Sequence, residues 1–319
     1  PTEAPVTRKG ACVESGPAAN DTQPHDLWLT QETSLSLTPP KNQGTWDVPW
    51  DLSHGQASGD TGYFGRFGGL PLEQSEDDAK ALVFETPPLD QDLLLYGSAE
   101  VTLTVQTPKN RAQICLRLND VSPDGTSSRV ALSVLNLGLD DTLDAPATPK
   151  GDGPHTVRPR FHTTAYRFKA GHRIRLAIAS SNWPLVWTPP LQSDVKIRMG
   201  HVTLPVLKDA PKALQIPFPV PRDLPTQKSF EPVAPPRLTR SRDTKEDGYL
   251  RTMWHQPFNS MCYNDIDTGF SFETCADHQI HPEDTNSACS AFIHKMSVAR
   301  PDGVASVESG HRDKCDADS

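Results

Sequence analysis

Acyl transfer by a serine needs a hydroxyl raised on a tight strand-to-helix turn, a histidine to take its proton and backbone donors for the oxyanion. The 319-residue sequence contains no Gly-x-Ser-x-Gly, so no catalytic residue is assigned. His172 is the tempting histidine, because it opens the most distinctive motif of the chain, Gly171-His172-Arg173-Ile174-Arg175. A structural role accounts for it better: an imidazole at the start of a strand can bond a neighbouring loop. Arg173 and Arg175, on the parity opposite Ile174, can pair with carboxylates.

Other groupings carry weaker chemistry. Cys275, His278, His281 and Cys289 offer soft ligands for zinc, but C-x2-H-x2-H fits no common finger and lacks a paired C-x2-C. No metal and no cofactor is therefore expected. A Cys275–Cys289 or Cys262–Cys275 disulfide and free thiols stand as open alternatives. Asp120 and Asp124 around Pro123 read as an Asx-turn rather than a calcium loop. Trp183 and Trp187, with Pro184, Pro189 and Pro190, could make an aromatic platform for a sugar or proline-rich peptide; closure of one end of a sandwich is preferred.

A net charge of −9 without any basic run excludes a dedicated nucleic-acid binder, whose phosphate contacts need concentrated Lys and Arg. Apolar runs fall below the ~18 residues that cross a bilayer, and Pro1–Gly10 lacks the pattern of a signal peptide. The expectation is a soluble chain, cytoplasmic rather than secreted. Hydrophobic content of 35% with 31 prolines means that part of the chain is loop or linker.

Period-two alternation locates the core. Leu93, Leu95, Ala99, Val101, Leu103 and Val105 share one parity, and the pattern returns at Ile114–Leu118, Val130–Val134, Tyr166–Phe168, Ile174–Ile178 and Val195–Met199. Turn residues such as Ser122-Pro123-Asp124-Gly125 separate these runs. Strands with one wet face bury the other against a second sheet, which predicts an all-β sandwich. Before it, residues 1–59 read as an irregular, partly disordered extension in which Leu27–Thr30 and Ser34–Leu37 could pair as a hairpin. After it come a Pro-rich linker over 208–248 and a partial β-rich region over 249–319.

Asp77-Asp78-Ala79, Leu82 to Leu89 (LVFETPPL), Leu118 to Gly125 (LNDVSPDG) and above all Ala170 to Pro184 (AGHRIRLAIASSNWP) resemble the C-terminal domain of X-prolyl dipeptidyl-peptidases and cocaine-esterase-like serine hydrolases. The resemblance is good over residues 60–207. It implies a jelly-roll, galactose-binding-like β-sandwich over that range, following an α/β-hydrolase domain that holds the catalytic triad. The family's Gly-Pro-Trp-x-His segment is absent here, so the chain is expected to be inactive alone.

By that resemblance the function is non-catalytic support of a dipeptidyl-peptidase or an ester or amide hydrolase, with the α/β-hydrolase domain as partner. The glycine-rich loop Gly62–Pro71 implies Phe64 and Phe67 as substrate-pocket residues. Asp120, Gly171, His172, Arg173, Arg175, Trp183 and Pro184 are implied as structural motif residues. The alternatives are a stand-alone glycan- or protein-binding module and a truncated gene model. A homo-oligomer is compatible with any of these.

Overall fold

A computed structural model describes residues 21–42, 44–59, 71–108, 112–139, 153–188, 192–209, 230–232, 239–245, 247–263 and 267–314. Residues 21–58 with 71–209 form one compact unit, and the residues from Phe230 onward belong to another. The first unit is a two-sheet antiparallel β-sandwich.

Its larger sheet is built on β12 (Val195–Leu207), which has neighbours along both edges. One edge pairs with β1 (Thr22–Leu29) and β3 (Trp46–Val48), the other with β6 (Glu100–Gln106) and, at Val206, β5 (Leu93–Gly97). β2 (Leu35–Ser36) extends the sheet beyond β1, while β9 (His155–Val157) and β10 (Thr164–Phe168) extend it beyond β6 and β5. The smaller sheet runs β4 (Leu82–Glu85), β11 (Arg173–Ala179), β7 (Gln113–Val121), β8 (Ser127–Asn136).

Between the sheets lies an apolar core. Leu27, Leu29, Leu95, Val101, Leu103, Val105, Ile197, Val202 and Leu204 meet Phe84, Ile114, Leu116, Leu118, Ile174, Leu176 and Ile178, all buried. Each such side chain contributes roughly 1.5–3 kcal/mol by leaving water.

Three details depart from simple alternation. The Leu93–Val105 run is two strands, because Gly97, at φ +125°, ends β5 before β6 begins at Glu100. The Val195–Met199 alternation is interrupted by a bulge between Ile197 and Met199, which moves the core-facing set from Val195 and Ile197 to Val202 and Leu204. The span 1–59, expected as an extension, contributes β1, β2 and β3 to the larger sheet, with Trp28 opposite Ser36 and Leu29 opposite Leu35.

The second unit is a six-stranded antiparallel sheet. β13 (Phe230–Pro232) and β14 (Thr239–Thr244) pair with β15 (Leu250–Tyr263), followed in order by β16 (Thr268–His281), β17 (Asp284–Arg300) and β18 (Gly303–Lys314). Strands of 12 to 17 residues make this sheet longer than the weak alternation of the sequence implied. Much of the expected linker, 210–229, 233–238 and 246, lies outside the described residues.

Candidate functional site

Every residue of β7 is buried, although a strand packed on one sheet should be wet on its other face. The register explains why. Ala177 lies opposite Arg117, Arg175 opposite Asn119 and Glu85, Asn119 opposite Arg129, and Val121 opposite Ser127, so one polar set occupies the outer face of the smaller sheet. Residues 51–58 and 71–78 cover part of it.

The cover is held by two adjacent carboxylates of α1 (Ser75–Asp78). Asp78 accepts hydrogen bonds from Asn119 Nδ2 at 2.9 Å, Ser127 Oγ at 2.8 Å and Arg175 Nη1 at 2.7 Å, and pairs with Arg117 Nη2 at 2.8 Å. Arg117 also donates to Gln74 Oε1 at 2.8 Å; its side chain is 1% exposed. Asp77 turns away from the sheet and accepts from the backbone N–H groups of Gly55 and Ala57 at 3.1 and 2.9 Å. The Leu72 N–H donates to the Ala57 carbonyl, which brings the two sides of residues 60–70 together. Phe64 and Phe67 themselves lie outside the described residues.

A second set of bonds fastens 51–58 to the turn after β11. Ser181 Oγ donates to the Asp51 carbonyl, Ser58 Oγ to Asn182 Oδ1 and Gln56 Nε2 to the Trp183 carbonyl. Gly55, at φ +106°, passes so close to Asn182 that a Cβ there would stand 2.5 Å from its carbonyl carbon. Only glycine satisfies both demands. His54 donates from Nδ1 to the Ser181 carbonyl at 2.5 Å, which leaves its buried Nε2 without a partner. Burial first, then the Arg117 charge, lowers the His54 pKa to about 4, against opposing effects of Asp77, the Ser181 bond and Asp51. The imidazole is held neutral.

The motif residues are nearby but distinct in role. His172 Nδ1 bonds Asp120 Oδ1 at 2.8 Å, and Tyr166 donates its hydroxyl to Asp120 Oδ2 at 2.7 Å. A His–Asp pair orients an imidazole in acyl-transfer enzymes, yet among the described residues no hydroxyl bonds the far nitrogen of His172. Gly171, at φ +80°, turns the chain between β10 and β11. Arg173 and Arg175 both reach Glu85, at 2.6 and 2.8 Å. Trp183, 2% exposed, fills space beside Trp187, 43% exposed, with ring centroids 5.1 Å apart, and a cis peptide joins it to Pro184. Pro189 and Pro190 lie outside the described residues.

The remaining candidates are not brought together. Asp120 is buried, whereas Asp124 is exposed and accepts from the Thr126 N–H, closing an Asx-turn. Cys275 and His278, three apart on β16, point to opposite faces of their sheet. Cys275 lies opposite Ile293, four residues from Cys289, and both thiols are free. Cys262 is opposite Gly269, six residues from Cys275, too far along a strand for a disulfide. Burial pushes the Cys115 thiol up to about 12, so it is no nucleophile at neutral pH.

Sequence reasoning overlooked Gln74, Asp77, Asp78, Arg117 and Asn119 as a connected set. A signal was present: Arg117 and Asn119 alternate with Leu116 and Leu118 as a wet face would, while Asp77-Asp78 sits among the residues that carry the resemblance.

Comparison with known proteins places these features in a family. The family model for the X-Pro dipeptidyl-peptidase C-terminal non-catalytic domain matches residues 9–210. No curated protein sequence matches the chain. Among solved structures, an alpha-amino acid ester hydrolase is similar at 20% identity and TM-score 0.49, over 57% of this chain and 36% of that one. An aminopeptidase from a marine sediment archaeon, Thaumarchaeota archaeon, is similar at 16% identity and TM-score 0.49, over 59% of this chain and 37% of that one. A CocE/NonD family hydrolase from Staphylococcus aureus is similar at 14% identity and TM-score 0.43, over 58% and 37%. The chain therefore spans little more than a third of each of these proteins. With nearly two thirds of its length matched, the chain belongs to the family of the X-Pro dipeptidyl-peptidase C-terminal non-catalytic domain.

Proposed function

We propose that this chain supports the α/β-hydrolase domain of a serine hydrolase and that Phe64 and Phe67 help to line its substrate pocket. The observation that carries the reading is the clamp formed by Asp77 and Asp78. These two carboxylates hold the segments on both sides of residues 60–70 against a buried sheet face. Fixing the two ends of a loop lowers the entropy that remains to be lost when its residues meet a substrate. His172, Asp120, Arg173 and Arg175 serve this reading as structural clamps, and Trp183 and Pro184 shape the adjoining turn. The same reading divides the chain into a sandwich and a second β unit, whose sheet already takes in β13 and β14 from the stretch expected as a Pro-rich linker over 208–248.

The test is a family hydrolase whose own C-terminal domain is replaced by this chain. Phe64→Ala with Phe67→Ala should lower kcat/KM about tenfold or more, corresponding to about 1.4 kcal/mol or more of lost contact, with the melting temperature unchanged. An unaltered kcat/KM in a folded, active chimera would remove the two phenylalanines from the pocket.

A further inference from the structure

The two edges of the second unit's sheet differ. At one, β13 and β14 are three and six residues long, share the strand β15, and include Pro232. At the other, β18 runs for 12 residues without proline and without a bulge against β17, and among the described residues no strand pairs with its far side. Residues 303–313 are all exposed, Val304 at 73% and Val307 at 61%. Such an edge is a row of backbone donors and acceptors open to another strand. Register decides which groups are open. Arg300 and Gly303 pair across the two-residue turn between β17 and β18, so the odd-numbered residues of β18 exchange hydrogen bonds with β17. The N–H and C=O groups of Val304, Ser306, Glu308, Gly310 and Arg312 therefore point away from the sheet. Glu308 and Arg312 stand symmetrically about Gly310 and share one face of the strand. On that face Glu308 pairs with Lys295 of β17 at 3.2 Å, and Arg312 lies opposite Ala291.

We propose that β18 is a docking edge for a second copy of this chain, pairing antiparallel with its counterpart about a two-fold axis at Gly310. In that register open backbone groups meet open backbone groups. Glu308 of each copy stands opposite Arg312 of the other, and the symmetry makes this contact twice. Each Glu308 then lies between Lys295 of its own sheet and Arg312 of the second. Charged side chains guard an edge only where they meet like charge, as they would in registers centred on Glu308 or on Arg312. Opposite charges spaced evenly about a centre invite the same strand in reverse, which is why the occupant is a second copy. The pair is closed, because each β18 has a single free edge to give.

The test is sedimentation of the full chain at neutral pH over a concentration series reaching about 100 μM, where a micromolar dimer is well populated. The wild type should reach twice the chain mass. Glu308→Arg and Arg312→Glu each set like charges opposite and should raise the dissociation constant roughly tenfold or more. The double variant exchanges the two charges and should restore the dimer. Ser306→Pro removes an outward N–H without touching the bonds to β17, and should weaken the dimer with far-UV circular dichroism unchanged. A monomer at every concentration, a dimer that none of these variants weakens, or a double variant no better than the single ones would each overturn the assignment. So would a chain monomeric alone whose β18 amides gain protection from hydrogen exchange only in the chimera, since the edge would then belong to the hydrolase domain. The pairing does not depend on the pocket given to Phe64 and Phe67, and either can fail alone.

Discussion

Asp78→Ala should cost the sandwich about 3–5 kcal/mol, a large part of the stability of an ordinary domain. Asp78 is the one anion shared by Arg117 and Arg175, and it also accepts from Asn119 and Ser127. Its removal leaves the Arg117 charge, with a side chain 1% exposed, short of its counter-charge, and strips acceptors from two further buried groups. The cost measures what is left unsatisfied, which exceeds the net worth of the ion pairs themselves. Asp78→Asn keeps the shape and one acceptor oxygen and should lose less. Urea unfolding of the two variants gives the comparison. A loss below about 1 kcal/mol for Asp78→Ala would mean that water or a rearranged Glu85 replaces the carboxylate at little cost.

Acidification should destabilise the same region through His54. Its folded-state pKa of about 4 lies below the unfolded value of 6.5, so the unfolded chain takes up a proton across that interval while the folded chain does not. The contribution is intact above pH 6.5 and is lost as pH falls, reaching about 3 kcal/mol near pH 4. A neutral replacement, His54→Gln, removes this dependence, whereas carboxylate titrations stay common to both proteins. Unfolding free energies measured from pH 7.5 to 4.5 should therefore fall more steeply for the wild type. Parallel curves would show that the imidazole is not held neutral.

Much of the sandwich can be read from the sequence because burial on one face imposes a period of two. Ile174, Leu176 and Ile178 are core residues on that ground alone, and Arg173 and Arg175 fall on the other face. What breaks the period is local. Gly97 and the bulge after Ile197 change strand and parity without any change in residue type that alternation detects. The outer-face site was hidden for a different reason. Arg117 and Asn119 have the polarity of a solvent face, and only tertiary packing turns that face into an interior. Asp77 and Asp78 are two among 40 acidic residues, and nothing in their spacing announces that one binds side chains and the other backbone. The second unit was expected only as a partial β-rich region, and the length of its strands was not legible because polar residues fill many of their buried positions, as at Thr252, Thr274, His278 and Ser290.

The central claim is that this chain carries structure for a hydrolase and not the chemistry. Treating the purified chain with a fluorophosphonate probe, alongside an activated ester, tests it most directly. The expected result is no labelled serine and no turnover above the buffer rate. Stoichiometric labelling of one serine, abolished by prior denaturation, would contradict it.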